Sequence, residues 1–409
     1  MTGTAFLAIL LLIGATVLKI PVAIVLAIVV LLIEGVRAVW RRVGLQRVAY
    51  VRHLDRDRMT WGEEIEARIE VWNRKGIPLA WLRAEDGASA GVRFRERALK
   101  IGRRGGQVLR NAWTLAPFER VTREFHVTAE RRGVYELGPV EISVGDLFGR
   151  EAAREDRPTT DRFLVRPRAV AAPPLHRRDT WGGQDRARSG LTEDPARFAG
   201  IREYSPGDPL RRIHPRASAR LGRPVVRRFE PSRDREVLVA LDIEASTGPA
   251  WETSDDSDAV EELFVIAASI VRTLALEHVA FGLAAAGYHH AESRFAAVAV
   301  SEAPGQLERV LDLLARLSSH PAAPFERLLG MILRVVRPGT TVLVITRRDP
   351  SRYLGWLRRI ERAGCTVVVV ACGPDGVADA GRARRAGLIA RSVRLDAPWR
   401  VATSLGGGA

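Results

Sequence analysis

The sequence predicts an α+β multidomain protein: a hydrophobic N-terminal hairpin, an antiparallel β-sandwich of immunoglobulin-like type, and a C-terminal α/β domain on a mostly parallel sheet. Three observations predict it. Ala5–Ile33 is apolar apart from Lys19. Between residues 44 and 168 apolar and polar residues alternate in short runs. From residue 236 compact apolar runs alternate with amphipathic helical stretches. The boundaries that follow are an anchor over 1–43, a sandwich over 44–168, a linker over 169–195, an arginine-rich segment over 196–235, an α/β domain over 236–403 and a flexible tail over 404–409.

The anchor comes first. As one helix Ala5–Ile33 would measure about 43 Å, well beyond the roughly 30 Å hydrocarbon core of a bilayer. Two short helices turning at Lys19-Ile20-Pro21 place the cation at the headgroups instead. Arg37, Arg41, Arg42 and Arg47 follow directly, and the positive-inside rule keeps them and the soluble body in the cytoplasm.

In the sandwich region Ile65, Ala67, Ile69 and Val71 share one face, and Glu64, Glu66, Arg68 and Glu70 the other. Further strands are expected at 80–84, 108–115, 122–129, 134–144 and 163–166. Residues 169–195 have no sustained period and are rich in proline, glycine and charge, as a linker would be.

The net charge of +15 over 409 residues comes almost wholly from arginine, with only three lysines. Its densest stretch runs from Phe198 to Glu230, where a Ser205-Pro206-Gly207-Asp208 turn precedes Arg211, Arg212, Arg216, Arg220, Arg223, Arg227 and Arg228. Strong positive potential calls for an anionic partner: an acidic protein surface, a lipid surface or nucleic acid. Tyr204 and Phe229 alone make no stacking platform, and no recognition module accompanies them, so nucleic acid is the weaker alternative.

The α/β segment offers strands at 236–242, 279–285, 295–300, 340–346, 366–371 and 392–395, with helices at 257–278, 304–317, 324–336 and 353–363. Sites on such sheets lie beyond the carboxyl ends of the strands. There the sequence reads Asp242-Ile243-Glu244-Ala245-Ser246. This resembles the Asp-x-Ser-x-Ser loop by which von Willebrand factor A-type domains help hold magnesium, with Glu244 departing from the pattern. The strand at 340–346 ends in Arg347 and Arg348, where those domains usually carry an aspartate. Asp242, Glu244 and Ser246 are thus candidate ligands of a degraded magnesium site, and otherwise no cofactor is expected. Residues 252–258 carry carboxylates at a helix start, where capping accounts for them. His289 and His290 point to opposite faces of an extended chain, so a solvated turn accounts for that pair. Cys365 and Cys372 have no metal or redox spacing, and there is neither a glycine-rich phosphate loop nor a Gly-x-Ser-x-Gly elbow. No catalytic residue is assigned.

Arg202-Glu203-Tyr204-Ser205-Pro206-Gly207-Asp208, Arg211-Arg212-Ile213-His214, Ala217-Ser218-Ala219-Arg220 and Val226-Arg227-Arg228-Phe229-Glu230 together resemble the central motif of a bacterial membrane-associated family, domain of unknown function 58. Arg132-Gly133-Val134-Tyr135, Gly138-Pro139 and Asp146-Leu147-Phe148-Gly149 resemble its upstream domain. Pro215 departs from the family, which usually has tryptophan there. The resemblance implies a membrane hairpin, a β-rich domain and a von Willebrand A-like domain. It also implies a MoxR-type AAA+ ATPase as partner, with a transglutaminase-like membrane protein as a possible second. On that reading the chain is a non-enzymatic, membrane-anchored adaptor. Its docking residues would be Arg202, Glu203, Tyr204, Pro206, Gly207, Asp208, Arg211, Arg212, Ser218 and Arg220. The alternative is a divalent-metal-dependent binder or enzyme at the Asp242 loop.

Overall fold

The computed structural model describes all residues except 1–2, 147–148, 174–192, 206–212, 232–235, 245–256, 289–293 and 409. It is a mixed α/β chain dividing into two compact units, Met1–Arg166 and Pro167–Ala409.

The first unit opens with helices α1 (Gly3–Val17) and α2 (Pro21–Val43). They turn where expected, with Lys19 in the left-handed region at φ 55° and Pro21 at the first turn of α2. The two halves are not equally short. α2 has 23 residues, about 34 Å of helix, because Glu34–Val43 continues past the apolar run, and it alone is long and apolar enough to cross a membrane. Thr4 donates to Glu34 across the pair at 2.8 Å.

Strands follow in the order β1 (Val48–Leu54), β2 (Arg58–Thr60), β3 (Ile65–Asn73), β4 (Leu79–Ala88), β5 (Val92–Phe94), β6 (Lys100–Ile101), β7 (Gln107–Leu115), β8 (Arg120–Ala129), β9 (Gly133–Gly145), β10 (Glu151–Arg157) and β11 (Asp161–Arg166). They form a sheet β1-β3-β8-β5 and a seven-stranded sheet β2-β11-β9-β4-β7-β6 with β10 on β9. The alternation at Ile65, Ala67, Ile69 and Val71 is realised, since all four are buried. They join Leu82, Ile142, Val144 and Phe163 of the other sheet in one core. A charged cluster is buried as well: Arg52 donates to Asp86 at 2.6 Å, Asp161 at 2.7 Å and the Leu137 carbonyl at 2.6 Å.

In the second unit β12 (Glu193–Glu203), α3 (Pro215–Leu221) and β13 (Val225–Pro231) precede a βα series. The series is β14 (Glu236–Leu241), α4 (Ser257–Leu276), β15 (Ala280–Ala285), β16 (Ala296–Ser301), α5 (Gln306–Arg316), α6 (Phe325–Val335), β17 (Thr341–Thr346), α7 (Leu354–Arg362), β18 (Thr366–Ala371), α8 (Gly376–Arg385), β19 (Ile389–Leu395) and β20 (Leu405–Gly408). The sheet order is β16-β15-β14-β17-β18-β19-β20, parallel from β15 to β19 and antiparallel at both edges. One face packs Ala240, Val342, Val344, Val367 and Val369 against α6, α7 and α8. Alternation turns Val239, Leu241, Leu343 and Ile345 to the other face, where α4 lies with Leu263, Phe264, Ala267, Ile270, Val271 and Leu274 buried.

Several expectations are corrected. The tail from Ser404 is not frayed: Leu405–Gly408 pairs with β19, so the strand read as an edge at 392–395 is an inner one. The stretch 169–195 is ordered at both ends, with Val170 donating to Ser269 of α4 at 2.9 Å and β12 starting at Glu193. α8 was not expected at all. The helix expected at 353–363 begins with a 3-10 turn, Pro350–Tyr353.

Candidate functional site

Two places gather the residues that the sequence singled out. The first is the carboxyl end of the parallel sheet. β14 and β17 are neighbours, and Asp242 N donates to the Ile345 carbonyl at 2.9 Å, which fixes Asp242 beside Thr346. Asp242 is wholly buried. Its Oδ2 accepts from Thr346 Oγ1 at 2.8 Å, Tyr353 OH at 3.0 Å and Arg348 Nε at 3.3 Å, while Oδ1 accepts from Glu244 N at 3.2 Å.

Arg348, itself buried, is placed between two carboxylates, because its Nη1 pairs with Glu244 as its Nε meets Asp242. The guanidinium thus stands where a cation among these carboxylates would stand. Glu244 has a second task, accepting from Phe325 N at 3.1 Å, the first N–H of α6. Tyr353, which bonds Asp242, packs edge-on against Phe325 with ring centroids 5.0 Å apart. The neighbouring Arg347 pairs with Glu262 of α4 at 2.7 Å.

The electrostatics follow from burial. Burial pushes the Asp242 carboxyl up to about 6, against the lowering by Arg348 and the hydrogen bonds from Thr346 and Tyr353. Burial pulls Arg348 down, but Asp242, Tyr353 and Glu244 more than offset it, so the guanidinium stays charged. The predicted ligands Asp242 and Glu244 are therefore brought together, but by an arginine and not with open lone pairs, and this geometry does not fit a divalent ion. Ser246 lies outside the described residues. Among the described residues no group of three His, Cys, Asp or Glu side chains is placed to hold a metal. Thr346 and Tyr353 escaped the sequence reading, although a strand ending in arginines beside a buried aspartate was the available signal.

The second place is the ribbon β12–α3–β13. The two strands are antiparallel, pairing Arg202 with Val226 and Glu203 with Val225, and form a two-stranded sheet of their own. α3 sits between them in sequence and is stitched to β13: Ser218 Oγ accepts from Val225 N at 3.0 Å, and His214 N donates to the Val225 carbonyl at 2.9 Å. The unusual Pro215 has a local reason. It occupies the first turn of α3, where its missing N–H is not needed, behind His214 whose Nδ1 accepts from Ala217 N at 3.3 Å. Gly222 closes the helix in the left-handed region at φ 65°.

Of the predicted docking residues, Arg202, Glu203 and Arg220 are exposed and Tyr204 and Ser218 are half-buried; Glu203 pairs with Arg223, which was not among them. Pro206, Gly207, Asp208, Arg211 and Arg212 lie outside the described residues, as do His289, His290 and most of the acidic 252–258 segment.

Residues 200–372 match the family model described as Protein of unknown function DUF58. A curated relative, Uncharacterized protein YeaD of Bacillus subtilis (strain 168), is 22% identical over 241 residues, which cover 58% of this chain and 55% of that protein. The chain thus spans about half the length of that relative. Among solved structures, the MG7-to-C-terminus part of Escherichia coli alpha-2-macroglobulin is 22% identical, with a TM-score of 0.23 over 31% of this chain and 17% of that one. The CARDB domain of a Pyrococcus furiosus protein in complex with di-metal ions is 15% identical, with a TM-score of 0.19 over 29% and 91%. A cohesin module from a Clostridium perfringens family 33 glycoside hydrolase is 12% identical, with a TM-score of 0.20 over 29% and 97%. Likenesses this low carry no argument here. By the match over residues 200–372 and the stretch shared with YeaD, this chain carries a region similar to the DUF58 family of proteins of unknown function.

Proposed function

We propose that this protein is a non-enzymatic, membrane-anchored adaptor. Its ribbon and its von Willebrand A-like unit dock a MoxR-type AAA+ ATPase or that ATPase's client on the cytoplasmic side, beside an immunoglobulin-like sandwich held at the bilayer. The carrying observation is the ribbon itself. Among the described residues β12 and β13 pair with each other and with neither larger sheet; β12 keeps an outer edge of backbone donors and acceptors, while Ile213, His214 and Ser218 cover part of that of β13. An isolated two-stranded ribbon is marginal in water, and an open edge flanked by exposed arginines invites an acidic strand or helix. Arg202, Arg216, Arg220 and Arg223 supply the charge. Support for the membrane comes from α2, and for the orientation from Arg41, Arg42 and Arg47 directly after its apolar run.

Affinity purification of the full chain from membranes tests this. Wild type is expected to retain the ATPase, and Arg202→Glu with Arg220→Glu to lose it about tenfold or more, as like charges across an interface do. Equal recovery by both would sink the proposal. The sealed Asp242–Arg348 cluster supports a metal-free role. Calorimetric titration of the purified chain with magnesium or manganese is expected to show no saturable heat, and stoichiometric binding would return the metal-dependent reading.

A further inference from the structure

The end of the sandwich at which α2 enters carries a built surface. Only Gly44–Arg47 separates α2 from β1, and this joint is tied to the sandwich by buried bonds. Lys75 is buried and its Nζ donates to the carbonyls of Gly44 at 2.8 Å and Gln46 at 3.1 Å, while Arg74 N donates to the Arg47 carbonyl at 2.8 Å. Gly44 passes so close to the sheet that a Cβ there would lie 2.7 Å from Val144. Farther up the helix, Arg37 pairs with Asp146 at 3.2 Å. The 74–78 loop and the turn between β7 and β8 are therefore held at the level where the helix leaves.

That turn presents an aromatic at a conformational cost. Phe118 is 67% exposed and lies in the left-handed region at φ 59°, which bulky side chains rarely adopt. The turn is clamped from behind. Asn73, fully buried, donates its side-chain amide to the Ala116 carbonyl at 2.9 Å and its N–H to the Glu119 carbonyl at 2.9 Å, and Phe118 N donates to the Lys75 carbonyl at 3.2 Å. Phe118 lies against Gly76, and the cations of this end are Arg47 and Arg74, whose backbones are bonded to each other, and Arg41 and Arg42 in the last turn of α2; all four are exposed and form no ion pair among the described residues, with Arg74 lying over the Trp72 ring. Glu119 folds back onto Ala116 N, and Arg120 pairs with Glu70.

We infer that this end of the sandwich is a lipid-contact surface: Phe118 inserts at the headgroup boundary of an anionic leaflet, and Arg41, Arg42, Arg47 and Arg74 bind its phosphates. Two things on the molecule select lipid as the occupant. The surface is continuous with the apolar helix through a joint too short to let it swing away, and an exposed aromatic on the same end as exposed cations outside any ion pair matches an anionic interface. The inference rests on α2 spanning the membrane.

The test uses the full chain carrying Phe118→Cys, or Ile101→Cys as the aqueous control, each with a nitroxide label. Ile101 is exposed at the opposite end of β7, about 26 Å away at 3.3 Å per strand residue. Native Cys365 and Cys372 are buried. In phosphatidylcholine bilayers with about a quarter phosphatidylglycerol, the label at 118 should be roughly tenfold less accessible to an aqueous nickel chelate than that at 101, and more accessible to oxygen. This shielding should vanish in detergent. Equal chelate accessibility at both positions overturns the inference, as does shielding that persists in detergent, which would mean that protein covers the ring. Alkaline carbonate extraction separates the two failures: protein released from membranes refutes the anchor, whereas retained protein with an aqueous position 118 refutes only the lipid contact.

Discussion

Arg348→Met is expected to destabilise the unit 167–409 by about 3–5 kcal/mol, the usual cost of removing one partner from a buried ion pair. Methionine keeps most of the volume and deletes only the charge that neutralises Asp242 and Glu244. The pH dependence carries a further signature. With its folded value raised from 3.8 to about 6, Asp242 binds a proton more tightly in the folded state than in the unfolded chain. Its contribution is complete below about pH 4 and is lost as the pH rises through 6, about 3 kcal/mol at 1.36 kcal/mol per unit. Without Arg348 the carboxyl moves higher still, and the decline extends past neutrality. Urea denaturation of the detergent-solubilised chain, followed by tryptophan fluorescence, should show a deficit that is large at pH 7.5 and much smaller at pH 5. A deficit independent of pH would mean that Arg348 matters only as packing.

Arg52→Met should act similarly on the first unit, costing about 3–5 kcal/mol. The guanidinium is buried among Asp86, Asp161 and the Leu137 carbonyl, and Asp86 is also buried and bonded by Tyr50. Burial already raises the Asp86 carboxyl despite Arg52 beside it. Removing the arginine leaves Asp86 with a hydroxyl but no counter-charge, whereas Asp161 is partly exposed and can hydrate. Adding Asp86→Asn, which still accepts from Tyr50, should restore most of the loss. A double variant no more stable than Arg52→Met would show that the arginine's fork, and not the buried charge, holds the strands together.

How far the sequence carried depends on where each element's information resides. The core elements are legible because burial imposes a period: β3 alternates, and α4 repeats its stripe of Leu263, Phe264, Ala267, Ile270, Val271 and Leu274. Edge and late elements are not. β10 reads Glu-Ala-Ala-Arg-Glu-Asp-Arg and is mostly exposed, so it exists through pairing with β9 and carries no inward pattern of its own. β20 is glycine-rich and is a strand only because β19 offers it an edge. α8 buries small residues, Gly376, Ala380 and Ala383, whose apolar signal is weak among arginines. At the sheet's end, Asp242 and Glu244 were legible as a pair and Arg348 as the discordant neighbour. That the three form one ion-paired cluster depends on β14 and β17 being adjacent, which local sequence does not encode.

The contact between Ala171 and Leu405 has a mechanical meaning. Ala171 N donates to the Thr403 carbonyl at 3.2 Å, and Leu405 N to the Ala171 carbonyl at 2.7 Å, so the near and far ends of the second unit's chain are fastened at one point. Tension applied across residues 171 and 404 would load this short clasp in shear before it reached the parallel sheet. A pull across those two positions is thus borne by the clasp before it reaches the ribbon enclosed between them.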